Sequence, residues 1–89
     1  MDVDELKNRR RRVVGMRETL KRMTQGMAVG VFVAKDAEPR VIEEVVAQSQ
    51  ARGVPLEYVD SMDELGRLCG IEVGAACAAL LLPETPPDK

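Results

Sequence analysis

The stretch that most constrains the fold is an apolar run in the first half of the chain, Val29-Gly30-Val31-Phe32-Val33-Ala34. The run is short, rich in β-branched residues and free of charged side chains. This composition is typical of a central strand that is buried on both faces of a sheet. Such a strand needs helices on both faces, so the chain must also supply amphipathic helices.

Helical and strand-like segments alternate along the chain. Gly26 and Gly53 end two helical patterns, and Ser61 with Glu64 forms a capping box at the start of another. The predicted helices cover residues 2–10, 16–25, 39–52 and 62–69, and the predicted strands cover residues 11–14, 29–34, 55–59 and 75–82, the last as a strand or a helix-to-strand segment. The alternation predicts an α/β fold, a three-layer α/β/α sandwich. We expect one domain over residues 1–82 and a flexible, proline-rich tail over residues 83–89.

Charge is divided unevenly along the 89 residues. Residues 1–40 carry ten Lys/Arg and six Asp/Glu, a balance of +4, whereas residues 41–89 carry three and nine, a balance of −6. The folded chain can therefore present one basic face although its formal net charge is −2. From charge alone, a basic binding face and ordinary solvated helices are equally good interpretations.

Several functional classes lack the residues they need. The aromatic residues are Phe32 and Tyr58, too few for the stacking platforms that bind single-stranded nucleic acid. There is no histidine and no Gly-rich phosphate loop, so an enzyme is not expected. Cys69 and Cys77 have neither metal-ligand nor redox spacing and are predicted to be buried small side chains in a reduced, cytoplasmic protein. No run reaches the ~18 apolar residues of a membrane span.

Four consecutive arginines, Arg9 to Arg12, close the first predicted helix. Positive charge suits a helix C-terminus because it complements the negative end of the helix dipole. Compensation of the dipole and contact with phosphate explain the run equally well.

The segment from Val13 to Lys21 is the first candidate binding site. A short apolar strand runs into Gly15, and a helix begins directly after it. Arg17 and Glu18 lie in the first turn of that helix, with Lys21 one turn further on. Because a helix N-terminus presents backbone N–H groups and partial positive charge, this segment indicates RNA binding rather than catalysis.

The second candidate segment contains three glycines spaced by four, Gly66, Gly70 and Gly74. Charged residues within the segment exclude the pairing of membrane helices that such spacing otherwise suggests. Gly70 and Gly74 are instead predicted to allow tight turns on either side of Ile71-Glu72-Val73. From the residues alone, Ile71 and Val73 are predicted to turn into the core.

Four stretches, in this order and spacing, resemble the kink-turn-binding ribosomal protein family, the ribosomal L7Ae family, and in particular its short bacterial branch. The stretches are Val14-Gly15-Met16-Arg17-Glu18-Thr19, Val33-Ala34-Lys35-Asp36-Ala37-Glu38-Pro39, Val59-Asp60-Ser61 and Leu65-Gly66-Arg67-Leu68-Cys69-Gly70-Ile71-Glu72-Val73-Gly74-Ala75-Ala76. The resemblance covers about residues 4–82. It implies an α/β/α sandwich around a mixed four-stranded sheet.

The resemblance also implies the ligand, a kink-turn, which is a sharply bent RNA helix with a bulge flanked by sheared G·A pairs. Structured RNA is read mainly at such distortions, because regular A-form grooves hide the base edges. The RNA-binding residues implied by the resemblance are Gly15, Met16, Arg17, Glu18, Lys21, Lys35, Asp36, Ile71, Glu72 and Val73.

The strand-to-helix segment is implied to enter the opened major groove at the G·A pairs. Gly15 then allows the RNA to approach the backbone closely. Arg17 can donate to guanine O6 and N7, and Glu18 can accept from an exposed base amino group. Lys21 can reach guanine or a nearby phosphate.

The remaining implied contacts lie in two loops. Lys35, beside Asp36, is placed to meet the RNA backbone. The loop Ile71-Glu72-Val73 matches the family's apolar cover for the extruded bulge nucleotide, which favours exposure of Ile71 and Val73 over the core position. The family usually has a small hydroxyl residue at position 16, so Met16 removes a hydrogen bond to the RNA.

Three functions follow from these features. The first is a ribosomal or ribosome-associated protein that stabilises kink-turns in ribosomal RNA or a riboswitch. The second is a protein-interaction adaptor of the same fold with weak or lost RNA binding, and the third is an enzyme. Retention of Arg17, Glu18, Lys21 and the loop Ile71-Glu72-Val73 favours the first. We expect a cytoplasmic monomer with no cofactor, metal, DNA or membrane partner.

Overall fold

The computed structural model describes residues 3–83, a mixed four-stranded sheet with helices on both faces. The elements are a 3₁₀ helix Val3–Lys7, β1 Arg12–Val14, α1 Met16–Thr24, β2 Ala28–Ala34, α2 Pro39–Arg52, β3 Leu56–Val59, α3 Met62–Cys69 and β4 Cys77–Leu81. The strand order is β1-β4-β2-β3, with β2 parallel to β3 and β4 antiparallel to both of its neighbours. The predicted α/β/α sandwich around a mixed four-stranded sheet is confirmed.

The two faces of the sheet form two separate cores. On one face, Phe32 and Leu80 pack with α3 and with Leu6 of the 3₁₀ helix. On the other face, Val31 and Val33 pack with α1 and α2. Alternate residues of β2 supply both cores because successive side chains of a strand point to opposite faces. The apolar run over residues 29–34 is therefore buried between the two cores, as predicted.

The last strand, β4, lies in the middle of the sheet. All five of its residues are buried, and it pairs with both β1 and β2. The segment is therefore a strand rather than a helix-to-strand segment. Because β4 runs opposite to the other three strands, its first residues and the last residues of β1, β2 and β3 meet at one end of the sheet. We call this the site end.

The N-terminal segment differs from the prediction of a helix to residue 10. The 3₁₀ helix ends at Lys7, and residues 9 and 10 form a turn. The chain bends at Arg11, whose carbonyl accepts from the N–H of Leu81 at 2.8 Å. Pairing with β4 therefore leaves no room for a helix up to Arg10. Residue 2 of the predicted first helix and the tail residues 84–89 lie outside the described part of the chain.

Two of the four consecutive arginines hold the fold together. The Arg11 Nε donates to the carbonyl of Leu81 at 3.1 Å. The Arg12 guanidinium donates to the carbonyls of Leu6 at 3.0 Å and Cys69 at 2.9 Å, and so joins β1 to the 3₁₀ helix and to the C-terminus of α3. The side chains of Arg11 and Arg12 therefore hydrogen-bond within the fold. Neither compensation of a helix dipole nor contact with phosphate is needed to explain them.

Replacing Arg12 with methionine is expected to lower the free energy of unfolding by about 1.5 kcal/mol, because two carbonyls lose a charged donor while the apolar stem is kept. Urea denaturation measures the change. Arg9→Met is the matched control, since Arg9 is exposed and its loss is expected to change stability by less than about 0.5 kcal/mol. Equal losses in the two variants would contradict a structural role for Arg12.

Both cysteines are buried and free, as predicted. Burial raises the pKa of the Cys69 thiol, and the nearby Arg12 guanidinium partly opposes that rise. Burial also raises the pKa of Cys77, and the Thr19 hydroxyl partly opposes it. The thiols are therefore neutral at pH 7 and act as small apolar side chains.

Candidate nucleic-acid interface

The site end brings together the loops that follow β1, β2 and β3 and the loop that precedes β4. The N–H of Gly15 donates to the carbonyl of Cys77 at 2.8 Å, and the N–H of Ala34 donates to that of Ala76 at 2.9 Å. The N–H of Lys35 donates to the carbonyl of Val59 at 2.8 Å. These bonds fix the loops against one another. Both sequence segments that were singled out for binding therefore lie at the same end of the sheet.

The N-terminus of α1 is open at the site end. Gly15, the residue before the helix, has φ +99° and provides no side-chain cap. Only glycine adopts such a conformation readily, which explains the residue type at this position. The N–H groups of Met16, Arg17 and Glu18 have no hydrogen-bond partner within residues 3–83. Three donors and the positive end of the helix dipole are thus available to an anion or a base acceptor.

The side chains of α1 divide into an exposed set and a packed set. Arg17 and Lys21 are exposed and form no ion pair with the described residues. The Glu18 carboxylate lies 3.7 Å from the Arg22 Nε one turn away. Met16 is partly buried and packs against the core beneath α1, so its thioether takes part in folding. The predicted binding residues of α1 other than Met16 therefore present polar groups to solvent.

The two predicted residues after β2 have different roles. The Lys35 ammonium is exposed and lies 3.3 Å from the Asp60 carboxylate. Asp36 accepts a hydrogen bond at 2.8 Å from the N–H of Met62, the first residue of α3. Ser61 accepts from the N–H of Glu64 at 3.0 Å, as the capping box predicts. The N-terminus of α3 is therefore already capped, in contrast to that of α1, and Asp36 has a structural partner.

The loop before β4 lies against α3 because two glycines permit close approach. A Cβ at Gly66 would overlap the carbonyl oxygen of Val73, and a Cβ at Gly74 would lie 3.2 Å from the Cβ of Met62. Gly70 has φ +75° and ends α3, as the predicted tight turn requires. Gly74 has no positive φ, so its role is close packing rather than a turn.

Exposure separates the two apolar residues of this loop. Val73 is 71% exposed, more than any other large apolar residue in the described part of the chain. Ile71 is partly buried and packs against the core that contains Leu65 and Cys69. The prediction that both are exposed is therefore wrong for Ile71, which anchors the loop. Glu72 lies between them and is exposed.

Sequence reasoning missed Arg67 as a neighbour of the loop. A shallow groove of about 270 Å³ is lined by Asp63, Arg67, Ile71, Glu72 and Val73. The Arg67 Nη1 lies 2.7 Å from a Glu64 carboxylate oxygen, and its side chain is largely exposed. The sequence signal that could have indicated Arg67 is its position directly after Gly66, where the loop crosses α3.

Replacing Lys35 with alanine is expected to weaken RNA binding about threefold to fivefold and to reduce the slope of log affinity against log salt by about one, if its ammonium meets one phosphate. Titration at several salt concentrations measures both. Asp60→Ala is the matched control, because it removes the ion-pair partner and leaves Lys35. Equal weakening in both variants would mean that the pair acts by ordering the loop.

Comparison with known proteins identifies the family. A family model described as the ribosomal protein L7Ae/L30e/S12e/Gadd45 family matches residues 2–88. The chain belongs to this family. An RNA-binding protein of Halalkalibacterium halodurans is 50% identical to this L7Ae-family chain over 68 residues, which are 76% of the chain and 83% of that protein.

A more distant relative and a solved structure agree with this assignment. Large ribosomal subunit protein eL8 of Haloquadratum walsbyi is 35% identical over 68 residues, 75% of this L7Ae-family chain and 57% of that protein. The structure of the Giardia lamblia 15.5kD RNA binding protein matches with a TM-score of 0.83 and 26% identity, covering 92% of this chain and 69% of that one. The names describe binding and ribosomal proteins rather than enzymes, in agreement with the sequence prediction. No helix within residues 3–83 has the length and hydropathy needed to cross a bilayer.

Proposed function

We propose that this chain is an RNA-binding protein that recognises and stabilises the kink-turn. Relatives that are named RNA-binding and ribosomal proteins support the broader part, the binding of RNA. The observation that carries the narrower part is the open N-terminus of α1, with exposed Arg17 and Lys21, at the same end of the sheet as exposed Val73. A bent RNA with an unstacked nucleotide offers a base edge to the N-terminus of α1 and an exposed base to Val73.

Recognition at α1 combines charge with base-specific hydrogen bonds. Arg17 donates to guanine O6 and N7 in the widened groove, and Glu18 accepts from a base amino group. Lys21 meets a neighbouring phosphate. Arg22 lies beside Glu18, 3.7 Å from its carboxylate, and helps to direct that carboxylate along the helix.

Recognition at the loop is apolar. Val73 covers the extruded nucleotide of the bulge, while Ile71 holds the loop to the core. Straight A-form RNA has no extruded base to bury here. The protein therefore binds the kinked RNA more tightly than the extended RNA, and this difference in affinity stabilises the kink.

The capped N-terminus of α3 adds selectivity. Asp36 and Ser61 already satisfy N–H groups of that helix, and Asp60, Asp63 and Glu64 place negative charge around it. Negative charge repels phosphate, so non-specific RNA binding is weak. The chain's affinity for RNA then rests on the α1 side of the site end and on the loop.

The test compares a kink-turn RNA with the same RNA whose G·A pairs are replaced by Watson–Crick pairs, by calorimetric or gel-shift titration at fixed salt. We expect tight binding to the first and at least tenfold weaker binding to the second, since each lost base-specific contact costs about 1–3 kcal/mol. Equal, weak binding to both would contradict kink-turn recognition and favour the protein-interaction adaptor.

The cellular setting of the proposed function is the cytoplasm, with ribosomal RNA or a riboswitch as the target and a monomer as the binding form. Light scattering of the free protein and of its complex tests the monomer. Sedimentation of cell extract on a gradient tests ribosome association, which requires the protein to move with ribosomal subunits at low salt.

A further inference from the structure

A second basic surface lies at the opposite end of the sheet from the site end. It is a concavity of about 400 Å³ where the loop before β1, the last turn of α1 and the loop before β2 meet the end of β4. Four arginines line it, together with apolar residues that include Met27 and Leu82: the arginines are Arg9, Arg10, Arg12 and Arg22. We call it the arginine cleft. Within residues 3–83, no acidic side chain lines it.

The arginines of the cleft differ in how far the fold already uses them. Arg12 donates to two carbonyls, as described above. Arg9 is exposed and has no hydrogen bond or ion pair with any residue from 3 to 83. Arg10 is exposed in the same turn. At least part of the positive charge is therefore presented to solvent rather than used to hold the fold.

Arg22 forms one wall of the cleft, and apart from a long ion pair with Glu18 its guanidinium has no strong acceptor among the described residues. Its Nη1 lies 3.8 Å from the Met27 sulfur, which is a weak acceptor. Its Nε is buried with no hydrogen-bond partner among the described residues, and the Glu18 carboxylate is 3.7 Å away. A guanidinium in this setting gains most from an oxyanion that can accept several of its N–H groups at once.

The cleft is continuous with the proposed RNA site through α1. Arg17 and Lys21 lie on the exposed side of this helix, and Arg22 in its last turn reaches the cleft. Nine helical residues span ~13 Å and the seven residues of β2 span ~20 Å. The site end and the arginine cleft are therefore separated by about the length of β2. A basic track thus runs from the site end to the arginine cleft.

We propose that the arginine cleft binds backbone phosphates of the RNA duplex that extends from the kink-turn. This inference rests on the proposed function and adds a second contact to it. The continuity of the basic track favours RNA over an acidic protein as the occupant, because a helical RNA held at α1 carries a regular row of phosphates beyond the bend. Sequence specificity stays at the site end, and the cleft adds affinity and orientation.

The experiment uses two kink-turn RNAs that share the same core, one with minimal flanking duplexes and one with each duplex in turn extended by a helical turn. The double variant R9Q/R10Q removes two exposed charges and leaves the structural Arg11 and Arg12. Arg52→Gln is the matched control, since Arg52 is exposed near this end of the sheet but lies on α2. Affinity is measured between 50 and 200 mM salt.

We expect R9Q/R10Q to bind the minimal RNA like the unaltered protein and to bind one extended RNA more weakly. With two phosphate contacts removed, the fall in affinity between 50 and 200 mM salt should be roughly tenfold smaller for that RNA. Arg52→Gln should change neither. A loss that does not depend on duplex length, or no loss with either extended RNA, overturns the proposal, and the second result would leave the cleft to a protein partner.

The two proposals fail in distinguishable ways. If the unaltered protein does not prefer the kink-turn to its Watson–Crick control, kink-turn recognition fails. A length-dependent loss in R9Q/R10Q with either RNA would still support the cleft, because phosphate contacts do not depend on G·A pairs. If the preference holds and the length dependence is missing, only the cleft proposal fails.

Discussion

Replacing Gly66 with alanine is expected to abolish tight RNA binding and to lower the free energy of unfolding by about 3 kcal/mol. The added methyl would overlap the backbone carbonyl of Val73 and lie 3.0 Å from its carbonyl carbon. Backbone atoms cannot turn aside as a flexible side chain can, so the loop must leave α3. Val73 then loses its position at the site end. RNA titration and urea denaturation measure the two effects.

The matched control for this loop is Gly53→Ala, at the end of α2. Gly53 has φ +69° and open space around its Cβ position, so alanine there adds backbone strain of about 1–2 kcal/mol without a clash. RNA affinity should be unchanged in this variant at a temperature where both proteins are folded. If Gly66→Ala binds RNA like the unaltered protein, the loop does not contribute to the interface.

Replacing Arg17 with alanine is expected to reduce affinity for a kink-turn RNA by about 1–3 kcal/mol, roughly 5-fold to 150-fold, because a bidentate contact with guanine is lost. The side chain is exposed and has no partner within the described residues, so stability should be unchanged. Calorimetric titration measures the affinity, and thermal unfolding checks the fold.

Arg17→Lys separates charge from geometry at this position. Lysine keeps the positive charge but cannot form the planar fork, so it should recover only the phosphate-like part of the binding energy. On the RNA with Watson–Crick pairs, both variants should bind with the same affinity as the unaltered protein. Binding of Arg17→Ala that equals that of the unaltered protein would remove Arg17 from the interface.

Local signals in the sequence were sufficient for the framework of the fold. The helices predicted at residues 39–52 and 62–69 have those bounds in the structure, since Gly53 and Gly70 end them and Ser61 caps one. The central strand was recognisable because burial on both faces leaves an uninterrupted apolar run. These features depend on residues that are close in the chain.

Features that depend on distant residues were not predictable in the same way. The side-chain contact of Arg11 was not predictable because its partner is Leu81, 70 positions away. Asp36 caps α3 across a separation of 26 residues. The burial of Ile71 follows from packing on α3, which the loop sequence does not contain. Within the proposed site, the α1 residues can be proposed from the local pattern, whereas the contacts of Asp36, Ile71 and Arg67 are visible only in the fold.

Because β4 lies in the middle of the sheet, the sheet cannot be completed during synthesis until this strand has emerged. Of the four described strands, β4 is synthesised last, yet β1 has no other partner in the described sheet. Until residue 81 has emerged, the nascent chain holds β1 unpaired and lacks the loop bonds to Ala76 and Cys77 that fix Gly15 and Ala34. The proposed RNA surface is therefore assembled only after β4 has emerged, and a product truncated before β4 lacks it.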